Sequence, residues 1–160
     1  MRRVLRAQGF TFVEILISLA IVAVLTSICL PLAEVSVQRK KEEQLRVALR
    51  QIRGGLDAYR QAFDDGKIKR ELGDTGYPKS LRALVDGVDD ASSASGGRLY
   101  FLRRLVRDPF YPDANVPPDQ TWGKRSYASP PSAPKEGKDV YDVYSLAQGK
   151  GLNGVEYKEW

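Results

Sequence analysis

One stretch limits what this chain can fold into more than any other: Gly9 to Ala33, GFTFVEILISLAIVAVLTSICLPLA. From Phe10 to Leu32 it offers 23 residues, mostly Ile, Leu, Val, Ala and Phe. At about 1.5 Å per residue that is roughly 34 Å of helix, enough to cross a hydrocarbon core. Its one charge is Glu14, one turn past Phe10. A carboxylate there costs about 2.5–3.5 kcal/mol at full membrane depth and less near an interface. A partner that offsets this charge is therefore expected.

What precedes and follows the run sets its direction. Met1–Gly9 is basic through Arg2, Arg3 and Arg6 and has no acidic residue, which by the positive-inside rule keeps the N-terminus cytoplasmic and carries the rest across the membrane. The run is longer than a secretory signal core and ends in Leu30-Pro31-Leu32 rather than a small-x-small site, so cleavage after it is not expected. Net charge is +5 over 160 residues. Setting the three leader arginines aside leaves 22 Lys/Arg against 20 Asp/Glu, a balance that argues against a nucleic-acid-binding face. With no His and one Cys (Cys29, inside the apolar run), His-based catalysis, Cys-cluster zinc sites and an intramolecular disulfide are excluded. There is no P-loop or G-x-S-x-G, and the acidic pairs Asp64/Asp65 and Asp89/Asp90 sit in solvated loop sequence. No enzyme is expected.

Beyond the run, Pro31 predicts a kink or loosened turn over Ser27–Pro31. A helical stripe then resumes: Leu45, Leu49, Ile52, Leu56, Tyr59 and Phe63, reinforced by Ala48 and Ala62 and opposed by Arg39, Lys40, Glu43, Arg46, Arg50 and Arg53. Such a stripe predicts packing onto the chain's own domain rather than a coiled coil. Gly55 is expected to admit a close strand; Gly54 has no evident reason. The helix should stop at Asp64-Asp65-Gly66, giving one helix of about 54 residues, roughly 80 Å. The head should then hold a short helix over Lys79–Val85 after Tyr77-Pro78 and a surface loop over Asp86–Gly97. A helical turn or short strand is expected over Leu99–Val106, and strands over Thr121–Tyr127 and Val140–Leu146. The last of these, apolar on nearly both faces, reads as a central strand. Pro130–Gly137 reads as an exposed loop and Trp160 as a packing anchor.

Gly9-Phe10-Thr11-x-x-Glu14 at the head of such a run resembles the leader of type IV pilins and type II secretion pseudopilins. The resemblance implies that a prepilin peptidase cuts between Gly9 and Phe10 and N-methylates Phe10. It also supplies a partner for Glu14, since cleavage creates an α-amine on Phe10 that can meet Glu14 within a chain or across staggered chains. Phe10, Glu14 and Pro31 are thus the expected assembly residues. The competing reading is a plain signal-anchor whose Glu14 snorkels. In the head, Gly76-Tyr77-Pro78, Arg107-Asp108-Pro109-Phe110, Trp122-Gly123 and Tyr141-Asp142-Val143-Tyr144-Ser145 resemble, in that order, the type II secretion major pseudopilin.

That resemblance implies an α+β fold in which a long N-terminal helix packs on a small antiparallel sheet. The divisions expected are a cleaved leader (1–9), a transmembrane and filament-core helix (10–32), its amphipathic continuation (33–66) and a periplasmic head (67–160). The function implied is that of a structural subunit of a type II secretion pseudopilus, with a type IV pilus subunit, major or minor, as the alternative. Implied partners are further copies of the chain in a helical homopolymer, the prepilin peptidase, an inner-membrane assembly platform and minor pseudopilins. No cofactor is expected. Many relatives bind calcium after the Tyr-Asp-…-Ser strand, but here that loop carries Lys150 and only Glu156, with Ser145 as a second candidate ligand. A DNA-binding minor pilin is the remaining rival, with Arg103, Arg104, Arg107, Lys124 and Arg125 as its candidate surface.

Overall fold

The computed structural model describes residues 11–160, with the side chains of residues 28–31 excepted. The chain forms two compact units, Met1–Arg39 and Lys40–Trp160. Helix α1 (Phe12–Asp64) contributes to both and runs unbroken through Pro31. It is 53 residues long and stops where expected, with Gly66 at φ +76° in the left-handed conformation that closes helices.

In the second unit, α1 forms one wall of the core. Leu45, Ala48, Leu49, Ile52 and Leu56 are buried against Leu81, Leu84, Leu102, Trp122, Val140, Val143 and Tyr157, with Tyr59 packed at the margin. The expected stripe is therefore the buried one, and its target is the chain's own head. Arg53 departs from the expected outer face. It turns inward, its guanidinium donating to Asp142 Oδ1 at 2.8 Å and to the carbonyls of Val143 (3.1 Å) and Trp160 (2.7 Å).

The rest of the head holds α2 (Ala83–Asp86), two separate two-stranded antiparallel sheets and two short 3-10 turns, Pro118–Gln120 and Tyr157–Glu159. One pairs β1 (Val88–Asp89) with β2 (Arg98–Leu99); the other pairs β3 (Trp122–Arg125) with β4 (Asp142–Ser145). Helix α2 is shorter than the expected 79–85. The Pro78 carbonyl accepts from Val140 N–H at 2.8 Å, and residues 80–85 are joined by tight bonds such as Ala83 N–H to Ser80 carbonyl, 3.2 Å. The α-helix thus starts four residues late. The expected loop over 86–97 also holds β1 at Val88–Asp89, and from 90 to 97 it is a loop that forms the tip of the β1–β2 hairpin. Asp90 closes it, its N–H on the Gly97 carbonyl at 2.9 Å and its carboxylate accepting from Ser92 N–H at 2.9 Å. Composition hid this hairpin because it buries almost nothing.

Strands β3 and β4 fall inside the expected segments but are trimmed at both ends. β4 is not a central strand: it pairs only with β3, and its burial alternates, with Val143 and Ser145 inward. Gly123 lies under the Tyr144 ring, which a Cβ there would meet at 2.4 Å, so the pairing of Gly123 with Tyr144 needs glycine. Gly55 does admit a close neighbour, but the neighbour is the Leu102 side chain, 2.9 Å from where a Cβ would stand, and not a strand.

Candidate functional site

The first unit has an unusual surface. Every described side chain of α1 from Phe12 to Ser27 is exposed, including Phe12, Ile15, Leu16, Ile17, Leu19, Ile21, Val22, Val24 and Leu25. No part of the most apolar 18-residue stretch is buried inside the chain, and the helix is long and apolar enough to cross a membrane. Each such side chain is worth roughly 1.5–3 kcal/mol when taken out of water. A contiguous apolar surface of this size requires lipid or other protein to cover it. Its polar atoms are also prepared for such surroundings. Ser18 Oγ donates to the Glu14 carbonyl at 2.7 Å and Thr26 Oγ1 to the Val22 carbonyl at 2.8 Å, so these hydroxyls bring no unpaired donor into an apolar phase.

The helix start is built by Thr11 and Glu14. Ile15 N–H makes the first helical bond to the Thr11 carbonyl at 3.2 Å, and Glu14 N–H donates to Thr11 Oγ1 at 3.3 Å. Thr11 is therefore the N-cap and Glu14 the third helical residue, the Thr-x-x-Glu spacing of a capping box. A carboxylate in this first turn also faces the positive end of the helix dipole. Of the expected site residues, Gly9 and Phe10 lie outside the described residues, so the proposed amine–carboxylate pair has no described geometry. Pro31 lies within α1.

In the head, three buried carboxylates fasten loops to the core. Glu42, on α1, accepts from Leu152 N–H at 2.9 Å and from the Tyr157 hydroxyl at 3.0 Å, tying the 149–160 segment to the helix. Arg46 adds to that contact, its guanidinium 4.6 Å from the Trp160 ring, and Trp160 also packs on Tyr157. Asp108 accepts from Ser145 Oγ at 2.6 Å and Phe110 N–H at 2.8 Å. Asp139 accepts from the Ser126 hydroxyl, the Thr75 hydroxyl and Tyr127 N–H. Burial pushes the Asp139 carboxyl up, but these hydrogen bonds together outweigh it and hold the group below its usual range.

The candidate calcium ligands have other engagements. Ser145 Oγ is committed to Asp108 and accepts from Ala147 N–H at 3.1 Å. Glu156 pairs with Lys158 at 2.8 Å, sits in a β-bridge with Lys150, and is held below its usual carboxylate range by the Lys158 hydrogen bond first. Among the described residues no group of three or more His, Cys, Asp or Glu side chains could hold a metal ion. The basic residues of the nucleic-acid rival are largely spent inside the head. Arg107 donates to the Ala114 carbonyl at 2.7 Å, Arg125 pairs with Asp142 at 3.2 Å and Lys124 with Glu136 at 3.7 Å.

Sequence reading missed Thr11 as a cap, though Thr-x-x-Glu before an apolar run is its signature. It also missed Glu42, which sits three residues before Leu45 on the buried stripe and was legible as a polar residue in an apolar position.

A family model for the prokaryotic N-terminal methylation motif matches residues 5–30. The chain carries a prepilin-type N-terminus. That signal implies processing by a prepilin peptidase and pilus-like assembly, and with the uncovered apolar helix it fits membrane anchoring. The match covers the end of the basic N-terminal stretch and most of the apolar run but none of the head. No curated protein and no solved structure gave a match.

Proposed function

We propose that this chain is a structural subunit of a type II secretion pseudopilus, held in the bacterial inner membrane with its head in the periplasm until it is assembled. A prepilin peptidase cuts between Gly9 and Phe10 and methylates the new Phe10 amine. Phe10 and Glu14 then pair their charges within or between subunits, and the apolar helix exchanges lipid for the helices of neighbouring copies. Pro31 gives the helix a place to loosen during that exchange. The assembly platform and minor pseudopilins act as partners, and the subunit itself does no chemistry and holds no cofactor.

The observation that carries the reading is the uncovered apolar helix, capped at Thr11 within a methylation motif and continuous with the wall of a packed head. The choice of pseudopilus over type IV pilus rests on the resemblance of the head segments around Asp108, Trp122 and Asp142. Mass spectrometry of the chain from cells with an active peptidase should give an N-methylated Phe10 terminus; an intact Met1 sinks the processing step. Deleting the gene should abolish export of folded proteins. Loss of surface pili with export intact would instead assign the chain to a pilus.

A further inference from the structure

Helix α1 carries its charges unevenly. Beyond the apolar run come Arg39, Lys40, Lys41, Arg46, Arg50 and Arg53, whereas Asp57 and Asp64 stand toward its end and no basic residue occupies the last turn. Arg60, the remaining cation of the helix, is tied to Asp64 at 2.9 Å. A helix dipole favours the opposite order, with cations at the C-terminal end, so it does not account for this one.

Part of that basic charge is engaged inside the chain. Arg46 and Arg50 share Glu43 at 3.9 and 3.7 Å, and Arg53 is turned onto Asp142 at 2.8 Å. Glu42 is buried and accepts from Leu152 N–H and the Tyr157 hydroxyl, so it is closed to its basic neighbours on the surface. Arg39, Lys40 and Lys41 are left. All three are exposed, and among the described residues no hydrogen bond or ion pair holds any of them; Lys41 Nζ lies 5.8 Å from the Phe110 ring. Glu34, also exposed, is the one acid between them and Leu32, so the three cations keep an excess of positive charge.

Their arrangement suits a surface that the helix crosses. Successive residues are about 100° apart around a helix, so three in a row form a belt at one level, not the lengthwise stripe that a partner lying alongside would meet. At about 1.5 Å per residue, Arg39 to Lys41 stand roughly 10–14 Å past Leu32. Helical side chains lean toward the helix N-terminus, here toward the apolar run, and long basic side chains reach further back along their apolar stems. A hydrocarbon core of about 30 Å is bordered on each side by a headgroup layer of roughly 5–8 Å. With the apolar run in that core, the charged tips of the belt reach the level of the headgroups.

We propose that Arg39, Lys40 and Lys41 bind the phosphate groups of anionic lipids and hold the unassembled subunit at a fixed depth in the bilayer. This rests on the membrane reading above and gives the anchored helix a lipid partner. The test uses the full chain, with Cys29→Ser and a donor fluorophore on Ser36→Cys, in phosphatidylcholine vesicles containing phosphatidylglycerol. Energy transfer to acyl-labelled phosphatidylglycerol or phosphatidylcholine reports which lipid surrounds the helix. Phosphatidylglycerol should be enriched about fivefold to tenfold beside the chain, and salt near about 1 M should cancel the enrichment. Arg39→Gln, Lys40→Gln and Lys41→Gln together should bring the ratio to about one, while Arg46→Gln with Arg50→Gln should leave it unchanged. Equal transfer to both lipids, or enrichment that survives the triple variant, overturns the proposal. Inorganic phosphate at constant ionic strength should change nothing; if it cancels the enrichment, the belt is a free-phosphate site and the lipid assignment falls. Alkaline carbonate extraction checks the membrane reading separately. A chain released by carbonate defeats both, whereas a retained chain without enrichment defeats the belt alone.

Discussion

Glu42 offers the sharpest test of how the head is fastened to its helix. Its carboxylate is 4% exposed and receives Leu152 N–H at 2.9 Å and the Tyr157 hydroxyl at 3.0 Å. Glu42→Ala removes the acceptor for both and leaves a small void beside Tyr157, which is itself 4% exposed. Leu152 is half exposed, whereas Tyr157 is buried, so most of the effect is expected at Tyr157. Losing a buried carboxylate that accepts two hydrogen bonds costs about 1–3 kcal/mol, and the lost packing adds to it, so a total of about 2–4 kcal/mol is expected. For a head of this size that is roughly 8–16 °C in Tm. Glu42→Gln keeps one acceptor oxygen and should lose about 1 kcal/mol. The assay is thermal unfolding of the detergent-solubilised chain followed by tryptophan fluorescence, since Trp122 and Trp160 both lie in the head. Tyr157→Phe removes the donor, so the double variant should be less destabilised than the two single losses added, by about 0.5–3 kcal/mol. Strict additivity, or a Glu42→Ala loss below about 0.5 kcal/mol, would refute the claim that this carboxylate clamps the 149–160 segment.

Three further outcomes follow from the same structure. Gly54→Ala should stabilise by about 0.5–1 kcal/mol because a Cβ there meets nothing within 4 Å, while Gly55→Ala should destabilise through its clash with Leu102 at 2.9 Å; equal effects in chemical denaturation would contradict the packing. Asp139 titrates below its usual range when folded, so its stabilising effect is present above the unfolded carboxylate pKa and is lost as pH falls through the folded one; Asp139→Asn should lower Tm at pH 7 and narrow the gap between pH 7 and pH 3. We propose that the lysine pairing of Glu156 and the commitment of Ser145 leave calcium no site, so Tm should not move on adding calcium or a chelator; a rise of several degrees with millimolar calcium would restore the metal.

What the sequence made legible was whatever long-range periodicity encodes. The stripe from Leu45 to Leu56 repeats often enough to fix both the helix and its buried face, and Gly66 marks its end. The head was legible only where burial is strong, at Trp122 and Val143. Two-residue strands such as Val88–Asp89 have no period to detect, and their partner Arg98–Leu99 is chosen by the turn at Asp90 and Gly96. The α2 start was set by the Pro78 carbonyl bonding to Val140, a contact 62 residues away that no local rule contains. Arg53 was misplaced for a related reason. A charge on a helix reads as outward until a carboxylate such as Asp142 waits on the other side. The brackets at Asp108 and Asp139 need the same kind of knowledge, since an acid in a turn is ordinary until two donors converge on it, as at Asp108, or three, as at Asp139.

The apolar helix gives Glu14 two separate reasons to exist, and they make different demands. At the third helical position its backbone N–H is capped by Thr11 Oγ1, and a side chain at the Thr-x-x-Glu spacing serves a helix start that glutamine would serve nearly as well. As the proposed partner of the Phe10 amine it must carry a charge, which glutamine lacks. Glu14→Ala removes both functions and cannot separate them. Glu14→Gln retains the helix start and removes the charge, while Thr11→Val weakens the cap and leaves the charge. If assembly depends on charge pairing, Glu14→Gln should fail to polymerise about as badly as Glu14→Ala, with Thr11→Val much less affected. The reverse order, with Glu14→Gln forming filaments normally and Thr11→Val defective, would mean that the carboxylate serves the helix start alone. Polymerised chain recovered by shearing and quantified by immunoblot distinguishes the two. A charge that merely snorkelled from a membrane anchor would predict a third pattern, in which all three variants assemble like the original chain.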